Sequence, residues 1–228
     1  MSHCGISSTT LRINLSRGED LDEAPGIGPY PEPPLSTLGS IIRVCKEAHR
    51  TGGFLCGGAI RDYLLMETPR VKDFDIFVPF DGKSRKAIDL DLFGHAIEMP
   101  KDFIDKTRDE VLAIDKYPGV NVDVILIDRK TVLEIVGTFD ATICEAWVEW
   151  VNGEPYAFCS GPFFYYLCHG DWHTYRDVPT TNDHTTRLVA KFGMPFGSLT
   201  STRAPVPIQL GPLKSARKLI KMLRERAK

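Results

Sequence analysis

Asp73 and Asp75 stand two residues apart in Asp-Phe-Asp-Ile-Phe-Val, residues 73–78, a segment otherwise rich in strand formers. Aspartate is depleted from strands, so a pair inside one marks chemistry rather than packing. Side chains alternate along a strand, which puts both carboxylates on one face and Phe74 and Ile76 on the other. Two carboxylates a few ångströms apart repel unless a proton or a cation lies between them. A divalent metal answers that repulsion.

The elements that position this pair lie just upstream. Phe54-Leu55-Cys56 reads as a short strand and Ala59 to Met66 as a helix, joined by Gly57-Gly58. Two glycines at a strand-to-helix turn let backbone N–H groups approach an anion at the helix start. Arg61 and Asp62 follow on the next turn. A glycine pair alone says little; a glycine pair, then Arg-Asp, then Asp-x-Asp on the next strand is specific.

Gly57 to Val78 as a whole resembles the head-domain signature of the polymerase-β-type nucleotidyltransferases. It is most similar to the branch of tRNA CCA-adding enzymes and bacterial poly(A) polymerases, G-G-x-V-R-D-x-L-L-G, a short gap, then D-x-D. Met66 replaces the glycine after Leu64-Leu65. The resemblance implies a small mixed β-sheet flanked by helices, an α/β (α+β) fold. It also implies two Mg²⁺ ions, with Mn²⁺ as a substitute, and transfer of a nucleoside monophosphate from an NTP such as ATP to a hydroxyl. In this family a third aspartate on the neighbouring strand completes the metal site, and Asp123 in Asn-Val-Asp-Val-Ile-Leu-Ile, residues 121–127, suits that position. The implied catalytic and metal residues are therefore Asp73, Asp75 and Asp123, with Gly57, Gly58, Arg61 and Asp62 toward the nucleotide.

A second stretch, residues 137–144, resembles the family's R-R-D-F-T-I-N-A motif, which lines the ribose side. Asp140, Thr142 and Ile143 match; Thr138 and Phe139 replace the arginines, and Cys144 replaces the asparagine. Asp140 is thus read either as facing the nucleotide or as capping a turn. Residues 186–192 read as a helix with Arg187 and Lys191 one turn apart. It resembles the family's R-x-x-R/K helix, whose basic side chains reach the nucleotide; otherwise the two are solvated.

Composition sets the limits. The chain has 228 residues, 43% hydrophobic and 25% charged, which suits one domain with appendages. Its net charge is −2, from 28 basic and 30 acidic residues, so affinity for nucleic acid must come from local patches. No apolar run approaches the roughly 20 residues of a membrane span. The six cysteines show no C-x-x-C spacing, which reads as reduced, cytoplasmic thiols.

The remaining chain divides into three parts. Residues 1–35 read as one strand, 10–15, and a Pro/Gly-rich arm; residues 36–196 as the nucleotidyltransferase domain that the resemblance implies; and residues 197–228 as a connector and a helix. Within the domain, helices are expected at 36–49, 83–96, 131–136 and 162–168. Hairpins are expected at 111–127 and, turning at Asn152-Gly153, at 146–159. Trp147 and Trp150 read as cross-strand core residues. His169 and His173 have zinc-ligand spacing, but Gly170 weakens the helix and no third ligand is near.

The last element, residues 213–228, reads as an amphipathic helix with seven basic residues and one acid, Glu225. It is either a surface that tracks RNA phosphates or a solvated outer face. The expected function is NMP transfer to a hydroxyl acceptor, first of all an RNA (tRNA) 3′ end. A protein or small-molecule acceptor and a non-catalytic nucleotide-binding module are the alternatives.

Overall fold

A computed structural model describes residues 37–69, 71, 73–80, 94–104, 110–175, 182–200 and 205–226. Helix α1 (Thr37–Arg50) turns Ile41, Val44, Cys45 and Ala48 inward at helical spacing. Strand β1 (Phe54–Cys56) passes through Gly57 into helix α2 (Gly58–Leu65), and β2 (Phe74–Pro79) follows. A short β3 (Ile97–Glu98) and the single turn α3 (Lys101–Ile104) precede the hairpin of β4 (Val111–Tyr117) and β5 (Val122–Ile127).

Helix α4 (Val132–Val136) starts at a capping box in which Thr131 and Glu134 satisfy each other's backbone N–H groups. A 3₁₀ turn at Thr142–Cys144 leads into β6 (Ala146–Val151), which pairs with β7 (Glu154–Ser160). Asn152 and Gly153 both take positive φ, 50° and 87°, the backbone that a two-residue hairpin turn requires. Helix α5 (Gly161–His169), capped by Ser160, is followed by β8 (His173–Tyr175), α6 (Asn182–Phe192), β9 (Gly197–Leu199), β10 (Pro207–Pro212) and α7 (Leu213–Arg226).

The fold is mixed α/β. Eight strands form one sheet in the order β10-β7-β6-β1-β2-β5-β4-β3. Every pairing in it is antiparallel except that of β2 with β5, which run parallel. Strands β8 and β9 make a small separate parallel pair. Helix α1 packs across β1, β2 and β6, and Leu55, Ile60, Ile76, Val122 and Trp147 belong to the buried core. Trp147 stacks on its cross-strand partner Phe158, ring centres 5.7 Å apart.

Residues 197–212, expected as a bare connector, contain β9 and β10, and β10 extends the main sheet along β7. Helix α7 then buries Leu213, Ala216 and Ile220 against the fold. The helix expected over 83–96 falls largely outside the described residues; the described part, Gly94 to Ala96, is not helical. The expected strand at 10–15 and the arm also fall outside them. Among the described residues no helix is long and apolar enough to cross a membrane.

Candidate active site

Sheet register assembles the first wall of the site. Trp147, Cys56, Asp75, Asp123 and Lys116 occupy successive cross-strand positions from β6 to β4, so their side chains share one face. Alternation along β2 puts Phe77 on that face too, and Asp73, just before the strand, joins it. Asp75 and Asp123 are thus adjacent carboxylates on the parallel pair. Lys116 Nζ donates to Asp123 Oδ2 at 2.7 Å. Asp73, Asp75 and Phe77 line a cavity of about 470 Å³, whereas Asp123 stands beside it as the partner of Lys116.

The second wall is the start of α2. Gly57 has φ 78° and ψ −135°, backbone that a side chain strongly disfavours. Its N–H donates to the Ala146 carbonyl and its own carbonyl accepts from Arg61 N–H, which fixes the strand-to-helix turn. Gly58 is different: a Cβ there would meet only the Arg61 Nη2 atom at an ordinary 3.5 Å.

Helix α6 supplies the third wall. His184, Arg187, Leu188 and Lys191 fall at i, i+3, i+4 and i+7, one helical face, and all line the cavity. Lys191 Nζ donates to Asp62 Oδ2 at 2.5 Å while Arg61 Nε donates to Asp62 Oδ1 at 2.7 Å. Two of the three cations read from the sequence as reaching for the nucleotide, Arg61 and Lys191, are therefore anchored on Asp62. Arg61 is buried, lies over the Phe192 ring and donates through Nη1 to Cys144 Sγ at 3.2 Å. Burial works to lower its pKa, but Cys144 and Asp62 outweigh that and raise it. Arg187 is the solvent-facing base, with its side chain 65% exposed and its Nε 3.6 Å from Asp183.

The segment from Thr138 to Glu145 closes the cavity floor. Tyr175 N–H donates to the Asp140 carbonyl and His173 N–H to Thr142 Oγ1, so β8 pins the segment in place. Below it, buried Glu145 accepts from Ser160 Oγ and from the Tyr175 hydroxyl at 2.5 Å; burial pushes its carboxyl up to about 7. The Asp140 side chain points to α6, and its Oδ2 lies 2.7 Å from His184 Nδ1. Hydrogen bonds to Asp140 and then Cys144 raise the His184 pKa to about 9, against the opposing effect of burial. Phe139 packs on Phe77, ring centres 5.5 Å apart, and gives the cavity an apolar side.

Gly57, Gly58, Arg61, Asp62, Asp73, Asp75, Asp140, Arg187 and Lys191 thus meet around one cavity, with Asp123 next to Asp75. Sequence reasoning missed His184, although its spacing from Arg187 and Lys191 marks the same helix face. His169 and His173 do not come together as ligands. His169 packs on the Tyr165 ring, and His173 sits on β8 against Phe196.

Helix α7 is only partly free for an external ligand. Arg217 donates to the carbonyls of Met66 and Glu67, and Arg224 to that of Leu65, satisfying the C-terminal end of α2. Lys214, Lys218 and Lys221 remain exposed on it. No family model, curated protein or solved structure matches the chain.

Proposed function

We propose that this chain is a Mg²⁺-dependent nucleotidyltransferase of the polymerase-β type that moves a nucleoside monophosphate from an NTP to the 3′ hydroxyl of an RNA, a tRNA end first of all. The observation that carries this reading is the convergence, on one cavity, of a glycine-started helix, an aspartate pair and a basic helix face. In the reaction the acceptor oxygen bonds to the α-phosphorus and the bond from that phosphorus to the departing pyrophosphate breaks.

Asp73, Asp75 and Asp123 fit a hard divalent cation, Mg²⁺ or Mn²⁺. All are carboxylates, and Asp75 and Asp123 are laterally adjacent on one sheet face. Bound there, such ions supply charge neutralisation on the triphosphate and a lowered pKa for the acceptor hydroxyl. The protein's own part is positioning. Gly58 and Ala59, the start of α2, line the cavity, and a helix N-terminus suits an anionic phosphate. Arg187 adds a solvent-facing positive charge. Phe77 and Phe139 offer apolar surface to a base or ribose. Asp62, by gripping Arg61 and Lys191 together, keeps α2 and α6 in register around the ligand.

Incubation with each labelled NTP, Mg²⁺ and total tRNA tests the proposal. Label in RNA supports it, and label in protein transfers the activity to a protein acceptor. Absence of label with every NTP leaves a nucleotide-binding module instead. The commitment of Arg217 and Arg224 to the end of α2 favours a protein or small-molecule hydroxyl as the second reading.

A further inference from the structure

Three side chains of the cavity wall differ in chemistry from the aspartates of the sheet. Asp140 comes from the loop after α4, Cys144 from the 3₁₀ turn and His184 from the first half of α6. One oxygen, one sulfur and one nitrogen of these residues lie within 4.8 Å of one another, with Asp140 and Cys144 buried and His184 half-buried. The donors come from elements braced independently of any ligand. The loop is pinned by Tyr175 and His173, the turn is followed by the Glu145 brace, and α6 is tied through Lys191 to Asp62.

We propose that Asp140, Cys144 and His184 form a binding site for a thiophilic divalent cation, Zn²⁺ above all, separate from the carboxylate site on the sheet. Donor chemistry separates the two sites. An all-oxygen set suits Mg²⁺, whereas a thiolate and an imidazole select zinc over magnesium. Bonds of about 2.0–2.3 Å in a tetrahedral site put ligand atoms about 3.3–3.8 Å apart, inside the 4.8 Å that spans the three donor atoms. The Asp140–His184 contact, now 2.7 Å, opens by about 1 Å or less to reach that spacing. Charge also balances, because a coordinated cysteine gives up its proton. One thiolate, one carboxylate and one neutral imidazole cancel a divalent charge, so the ion adds no net charge beside the Arg61 guanidinium. Three protein ligands leave a fourth position, and since all three residues line the cavity, that position takes water or an oxygen of the cavity's ligand.

Cobalt(II) tests this without any catalytic readout. The untagged full chain, stripped of metal, is titrated with Co²⁺ and watched for tetrahedral visible bands and the near-ultraviolet sulfur-to-cobalt band. The expected result is one equivalent showing both, displaced by Zn²⁺ but not by a large excess of Mg²⁺. Cys144→Ser should abolish the sulfur band, and Cys168→Ser should keep it. His184→Gln should weaken binding by at least the roughly 10- to 100-fold that loss of even a supporting group costs. Melting of each metal-free variant checks that it is folded. Where Cys144→Ser fails to fold, His184→Gln and the Mg²⁺ competition in the wild type decide. No sulfur band in the wild type, a band that survives Cys144→Ser, or displacement by Mg²⁺ would overturn the proposal, whatever the outcome of the transfer assay.

Discussion

Lys191 Nζ donates to Asp62 Oδ2 at 2.5 Å, joining two helices whose bonded residues are 129 positions apart in the chain. Asp62 also holds the Arg61 guanidinium, which is buried. Asp62→Ala should therefore cost about 3–5 kcal/mol, because it leaves a buried cation without its carboxylate. Lys191→Met should cost no more than about 1 kcal/mol, since its side chain is 38% exposed and water screens the pair. Urea unfolding of the two variants measures both costs. Similar costs for the two would mean that the burial of Arg61 does not set the energetics.

The aspartates of the sheet make the second test. Asp75→Asn should lower transfer by roughly a hundredfold or more, on the scale of losing one preorganised charge-stabilising group. Stability should hold or rise as carboxylate repulsion is relieved. Asp123→Asn should behave in the same way if it holds metal, although its pairing with Lys116 offsets part of the gain. Wild-type turnover by Asp123→Asn would leave that residue as the partner of Lys116 only.

The two glycines before α2 should separate cleanly. Gly57→Ala forces a side chain into backbone at φ 78°, ψ −135°, which should cost about 1–3 kcal/mol of stability. Gly58→Ala meets only a flexible guanidinium end at 3.5 Å and should melt near the wild type. Its effect should appear as weaker NTP binding, measured by titration calorimetry. Loss of stability in Gly58→Ala with unchanged NTP affinity would take that backbone out of the phosphate site.

What the chain disclosed by itself was what is local in it. The aspartate pair, the glycine turn and the Asn152-Gly153 hairpin each occupy a few consecutive residues, so alternation and turn chemistry suffice to read them. Partnership between Asp140 and His184 was not legible, because 44 positions separate them and only the docking of α6 joins them. Amphipathic spacing showed which face of α7 is polar, but not that Arg217 and Arg224 meet the carbonyls ending α2. Strand β10 was hidden by its prolines. As the outer strand of the sheet among the described residues, it can accommodate residues that donate no hydrogen bond.

Protonation of His184 gives a pH signature in the metal-free protein. Its folded pKa, about 9, lies above the ordinary value of 6.5. The imidazolium's contribution is therefore complete below about pH 6.5 and is lost as pH rises through about 9. Solvent screening of this half-buried ring reduces that contribution. We expect a fall of the order of 1–3 kcal/mol across the window in the wild type, flattened in Asp140→Asn. Urea midpoints from about pH 6 to pH 10 measure it, and parallel curves for the two proteins would rule out this coupling.

The basic face of α7 yields the last test, and the structure divides it. Lys214, Lys218 and Lys221 are exposed, although Lys221 Nζ also lies 4.0 Å from Glu225, and under the proposed function they are the side chains that would meet RNA phosphates. Arg224 instead donates to the Leu65 carbonyl. Changing the three lysines to glutamine should weaken RNA binding while NTP affinity and melting stay close to wild type, since exposed surface changes usually cost within about 0.5 kcal/mol. For every lysine that pairs with a phosphate, its removal should reduce the slope of log K against log salt by about 0.7 for single strands or about 0.9 for duplex. Arg224→Gln should do the opposite, lowering stability by about 1–3 kcal/mol through an unsatisfied helix end, with little change in the salt slope. If the triple-lysine variant binds and labels RNA like the wild type at every salt concentration, this face does not hold the RNA. The acceptor would then be sought among proteins and small molecules.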